Sequence, residues 1–164
     1  MIDNQYKKII KLIEVIENNK DCIDVGTAEL APTPNSIARI EKSIKIKLPK
    51  SYLWFLENYG YIIIFGQELY IIWNEVDIVA VSNIESNYFM DKKNSVIFDY
   101  EIPIFTDEFG QLYIMDTSEV DNKGEYPIYR KFNENGEDKI YYADNFLEFL
   151  EKQLKDCNEY TKQH

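Results

Sequence analysis

From residue 96 to residue 143 the chain is written in short runs of β-branched and aromatic residues: VIFDYEIPIF, QLYIMD, YPIYRKF and KIYYA. None keeps a helical period, and each is bounded by turn residues such as NENG at 133–136, so they read as strands. Strands joined in sequence in this way make an antiparallel meander, and the rest of the chain must pack around it.

The flanks have a different period. Ile9, Ile10, Leu12, Ile13 and Ile16 share one face of residues 4–19, which predicts an amphipathic helix capped by Asp3 or Asn4. After a loop ending in APTPNS, Thr33 is a good N-cap, with Pro34 at the first helical position and Ile37, Ile40, Glu41 and Ile44 at helical spacing. Pro49 opens a third helix, PKSYLWFLENYG, with Tyr52, Phe55, Leu56 and Tyr59 as its apolar stripe, Trp54 beside it and Gly60 closing it. YIIIF and ELYIIW, separated by Gly66-Gln67, read as a hairpin. Residues 75–95 fit either a strand followed by a short helix or one broken helix. Asp144 then caps NFLEFLEKQLKDC, with Phe146, Phe149, Leu150 and Leu154 on one face.

Helices, a meander and a closing helix describe an α+β fold, the helices lying on one face of an antiparallel sheet. A length of 164 residues suits a single domain spanning residues 1–164. Such a chain buries roughly two thirds of its unfolded surface and needs no metal or disulfide to hold it. Gly60, Gly66 and Gly110 read as cap and turn glycines, and Trp54 as a core or half-buried residue.

Charge narrows the function. The chain carries 29 acidic and 18 basic residues, a net −11. A field of that sign repels phosphate backbones and anionic lipid, which argues against nucleic-acid and membrane binding. It suits a basic protein partner, or simply keeps a small protein in solution. The distribution is uneven: Asp99, Glu101, Asp107, Glu108, Asp116, Glu119, Asp121 and Glu125 are opposed within their own segment only by Lys123. Such clustering is self-repelling and asks for a reason.

Cys22 and Cys157 are far apart, with no CxxC or Cys/His spacing, and two reduced thiols in an intracellular protein are the expectation. The N-terminal stretch is amphipathic and partly acidic, unlike a signal peptide, and no run reaches the length of a membrane span. A cytoplasmic location follows as the expectation. Lysine outnumbers arginine, present only at Arg39 and Arg130, a usage that fits an AT-rich bacterial genome.

Catalytic chemistry finds little to work with. The one histidine, His164, is the last residue, so Ser-His-Asp and Cys-His arrangements have no base. Zinc lacks ligands. An EF-hand register starting at Glu119 puts Lys123 on the fifth position and Arg130 on the twelfth, where a bidentate glutamate is required. Asp107-Glu108 could pair with Asp116 as two catalytic carboxylates, but nothing in the sequence shows the separation of about 5 to 9 Å which that chemistry needs. No glycine stands in a phosphate-loop context. No cofactor or metal is expected.

Three stretches, in this order, resemble the SUKH superfamily, which includes the yeast Smi/Knr cell-wall regulators and many bacterial immunity proteins. They are IARIEKSIKIKLPKSYLWFLENYG, IPIFTDEFGQLYIMDT, and YPIYRK followed by ADNFLEFLEKQL, together covering most of residues 34–154. A single Gly60 followed by Tyr61 replaces the usual double glycine, and Gln111 the usual asparagine. The resemblance implies a bacterial immunity protein that binds a cognate toxin domain and is not an enzyme. Many such toxins are nucleases with basic surfaces, which an acidic surface complements.

On this reading the eight carboxylates are candidate partner contacts, with Tyr100, Phe109 and Tyr113 as candidate aromatic anchors. The alternative is a non-catalytic, protein-binding regulatory scaffold, against which an isolated chain lacking disordered extensions argues. Exposed strand edges would permit a homodimer.

Overall fold

The computed structural model describes residues 2–18, 22–75, 80, 82–132 and 138–164. Helix α1 (Ile2–Ile16) leads into strand β1 (Ile23–Val25), and a short 3-10 turn precedes α2 (Pro34–Ile44) and α3 (Lys50–Tyr59). A hairpin of β2 (Ile62–Ile64) and β3 (Gln67–Glu68) follows, then α4 (Ile84–Lys93). The meander is β4 (Glu101–Thr106), β5 (Leu112–Asp116), β6 (Ile128–Lys131) and β7 (Lys139–Ala143), and α5 (Phe146–Gln163) closes the fold. The class is α+β, and the meander order β4-β5-β6-β7 is antiparallel throughout.

Local chemistry accounts for most boundaries. The Thr33 side chain accepts from the Ser36 N–H at 3.1 Å with Pro34 behind it, and α2 ends at Lys45 in the left-handed region. Pro49 caps α3 without a side-chain bond, and the chain leaves that helix at Gly60, φ +73°. Any Cβ there would lie 2.5 Å from Leu30 Cβ, so Gly60 both supplies the conformation and lets the Thr27–Leu30 turn approach. Helix α1 begins at Ile2, ahead of the expected caps Asp3 and Asn4, and α5 is capped by Asn145, one residue beyond Asp144. Of the ambiguous stretch 75–95, residues 84–93 are helical with Asn83 as N-cap, whereas 76–79 and 81 lie outside the described residues.

A three-stranded sheet, β1-β2-β3, accompanies the meander, and β1 falls where the sequence reads as loop. Its hairpin turns at Phe65 (φ +49°) and Gly66 (φ +78°), one residue earlier than expected, with the paired positive φ values of a type I′ turn. Only Gln67 and Glu68 pair in β3, after which Leu69, Tyr70 and Ile72 turn into the core. Tyr70 joins the sheets: its N–H reaches the Ile104 carbonyl at 2.8 Å and its carbonyl accepts from the Tyr52 hydroxyl at 2.7 Å.

One continuous apolar cluster runs between the layers. Its centre is aromatic, with Phe149 of α5 against Phe105, Tyr113, Tyr142 and Phe146 at centroid distances of 5.4 to 6.0 Å. Cys22 and Cys157 are paired in a disulfide, Cα–Cα 5.7 Å, both side chains buried. This corrects the expectation of two thiols: folding brings β1 against α5, and residues 135 positions apart meet inside the core.

Candidate functional site

The acidic segment from Asp99 to Glu125 does not fold as one surface. Cross-strand partners share a face of a sheet, and Glu101 stands opposite Asp116 while Lys131 stands opposite Lys139. Glu101 and Lys131 form an ion pair with both side chains almost wholly out of water. Lys139 pairs with Asp116 and lies 3.7 Å from the second Glu101 oxygen. Burial alone would raise the Asp116 carboxyl, but hydrogen bonds from Lys139 and Ser118 hold it below the usual carboxylate range. Burial works against the Lys139 ammonium too, and Asp116 outweighs it and holds it up. Two carboxylates are thus matched by two ammonium groups in a neutral, internally bonded unit.

Two more carboxylates serve the backbone. Asp107 Oδ1 accepts from the N–H groups of Phe109 and Gln111, and its other oxygen accepts from the Tyr113 hydroxyl at 3.2 Å. Glu125 accepts from the Ser51 N–H at 3.1 Å and from the Ser51 hydroxyl, so it caps the start of α3, where Pro49 has no side chain to offer. Glu101, Asp107, Asp116, Glu125 and the nominated anchor Tyr113 are all buried. Each is engaged inside the fold and leaves less than a tenth of its surface to water.

Asp121 repeats the Asp107 device: its Oδ1 accepts from the N–H groups of Lys123 and Glu125 at 2.8 Å each. The two turns read Asp-Glu-Phe-Gly-Gln and Asp-Asn-Lys-Gly-Glu, and in both the glycine N–H returns to the aspartate carbonyl. That shared spacing, Asp-x-x-Gly, was the sequence signal that these aspartates build turns. Gly110 occupies the first of them.

The exposed members separate to opposite ends of the β4–β5 hairpin, whose strands run about 17 Å. Glu108 and Phe109 sit at its turn, Phe109 being 80% exposed. Burial, and then the charges of Glu159 and Glu108, raise the Asp156 carboxyl there. Asp99, Tyr100, Glu119 and Asp121 lie at the other end, joined by groups the sequence reading missed. Tyr129 and Tyr141 face each other across β6 and β7 with centroids 6.0 Å apart. The Tyr129 hydroxyl donates to Glu119 at 2.9 Å and the Tyr141 hydroxyl to Asp144. The Lys139 ammonium lies 4.4 Å from the Tyr129 centroid, and Phe98 stacks on Tyr100 at 5.4 Å. A hollow of about 630 Å³ opens beside them, bounded by Tyr129, Tyr141, Glu119, Asp121, Asp144 and the start of α1.

Trp54 is half-buried against Tyr6 and Tyr59. His164 stacks on Tyr160 in the last turn of α5. Among the described residues no cluster of His, Cys, Asp and Glu is placed to hold a metal ion, and no helix is long and apolar enough to cross a membrane.

A family model described as SMI1-KNR4 cell-wall, of the SUKH group, matches residues 9–155. The chain belongs to this family. SUKH proteins are generally immunity proteins rather than enzymes, and membership makes this an immunity-like protein whose expected partner is another protein. The sheet surface fits a protein partner chemically, because it offers aromatic rings and carboxylates.

Proposed function

We propose that this SUKH protein neutralises a basic toxin domain by stoichiometric binding, using the exposed end of the β4–β7 sheet. The observation that carries the reading is the division of labour among the carboxylates. Glu101 and Asp116 are neutralised by lysines inside the fold, while Asp99, Glu119 and Asp144 stay on the surface around Tyr100, Tyr129 and Tyr141. Lys139 lies over the Tyr129 ring and Lys8 and Lys123 line the hollow, so the face is mixed but carries more carboxylates than free ammonium groups. Large, stiff aromatic side chains among those carboxylates combine the two requirements of fast, tight protein association. The carboxylates steer a basic partner, and the rings supply apolar area that slows its release. Inhibition then follows from occlusion of the basic surface with which a nuclease-type toxin would grip its substrate.

The test is the association rate with the toxin domain of an adjacent gene, measured by stopped flow over a salt series. An Asp99→Asn, Glu119→Gln, Asp144→Asn triple variant should associate about tenfold more slowly, with a flatter salt dependence. An unchanged rate would contradict the acidic-face reading.

A further inference from the structure

The three-stranded sheet has a second surface that the proposed sheet-face contact does not use. Ile62 and Ile64 of β2 point into the core, which turns Ile63 outward. Ile63 pairs with Asp24 on one side and Glu68 on the other, so a carboxylate, an isoleucine and a carboxylate lie in one row across the sheet. The row forms one wall of a cleft of about 530 Å³, with Trp73 and Leu30 among its other lining residues and Glu29 and Glu75 also contributing.

Four carboxylates thus border an apolar floor. Among the described residues no lysine, arginine or histidine lines the cleft, and none of the four carboxylates makes an ion pair. Elsewhere the chain uses its lysines freely, Lys47 for Glu41 and Lys152 for Glu148. The Trp73 wall is fixed in advance. Arg39 donates to the Trp73 carbonyl at 2.8 Å, and the Asn74 side chain accepts from the Thr33 N–H at 2.9 Å and donates to the Ala31 carbonyl at 3.2 Å. A pre-formed cleft spares an occupant the cost of ordering it.

We propose that this cleft receives a lysine or arginine side chain carried on an apolar segment of a protein partner. The aliphatic stem would lie on Ile63 and against the Trp73 ring, with the cation between Asp24 and Glu68. Strand spacing puts those two backbones about 10 Å apart, so one cation between them is within reach of both side chains. Charge complementarity selects this occupant: an anionic segment meets four carboxylates, and an uncharged one leaves them without a counter-charge, Asp24 having the Tyr61 hydroxyl at 3.3 Å but no cation. The inference stands independently of the sheet-face reading, because other elements build the cleft.

Acetyl-Leu-Lys-Leu-amide, titrated into the ¹⁵N-labelled protein, tests it. Saturable shifts are expected at Asp24, Ile63, Glu68 and the Trp73 indole, at peptide concentrations up to about 10 mM. They should weaken at least threefold in an Asp24→Asn, Glu68→Gln variant whose remaining spectrum superposes on the parent, and be lost when norleucine replaces the lysine. An absence of shifts, equal shifts with the norleucine peptide, or unaltered binding by the variant would each overturn the proposal. So would shifts confined to Tyr100 and Tyr141.

Discussion

Lys131 and Glu101, on strands separated by β5, form an ion pair with both side chains almost completely withdrawn from water. The segment that follows α4 closes over them. Lys131 also donates to the Val96 carbonyl at 3.1 Å, and its ammonium lies 5.0 Å from the Phe98 ring centroid. A pair so enclosed is costly to break and cheap to replace, since removing one partner strands a buried charge while replacing both removes the desolvation cost. Lys131→Met should therefore lose about 3–5 kcal/mol in urea unfolding. The Lys131→Met, Glu101→Leu double variant should recover most of that loss, and a double variant no more stable than the single would contradict the account.

The disulfide ties β1 to α5 across 135 positions, closing most of the chain into a loop. Reducing the protein, or changing both cysteines to alanine, should cost about 2–5 kcal/mol of stability. Denaturant unfolding with and without dithiothreitol checks this, the alanine variant being insensitive to reductant. Two titratable thiols in the unreduced, unfolded protein would contradict the pairing.

Asp91 provides a pH signature. Burial on α4 raises its carboxyl to about 6. A raised carboxyl contributes stability that is fully present below its unfolded value near 3.8 and is lost as the pH climbs through about 6. Asp91→Asn should then be more stable than the parent at pH 7.5, by about 1 kcal/mol because water still reaches the side chain. The two proteins should converge toward pH 4. Thermal melts across that range measure it, and a pH-independent difference would contradict the prediction.

Glu125 substitutes for a cap that Pro49 cannot supply, so Glu125→Ala should cost about 1–2 kcal/mol. The loss should be concentrated in faster hydrogen exchange at the Ser51 amide, which a uniform loss across the fold would not produce.

The meander was legible because QLYIMD, YPIYRKF, KIYYA and the second half of VIFDYEIPIF carry enough strand formers between turn residues to override other readings, whereas residues 96–100, expected as strand, form bends and a turn ahead of β4. Strand β1 was not: three residues hold no period of their own, and Ile23–Val25 is a strand only because β2 lies beside it. The candidate site was half legible. Composition located the acidic segment, but whether a carboxylate points to water or to a lysine depends on register. Lys131 lies 30 positions beyond Glu101, and Lys139 lies 23 beyond Asp116. Tyr129, Tyr141 and Asp144 were missed because β6 and β7 bring them beside Glu119 only once the sheet is closed.

The most direct test of the central claim is titration calorimetry against the toxin domain of the adjacent gene, at low and high salt, with the parent protein and a Tyr100→Ala, Tyr141→Ala variant. One-to-one binding that weakens with salt, and weakens at least tenfold further in the variant, is the predicted result. Binding that is indifferent to both salt and the two tyrosines would contradict it.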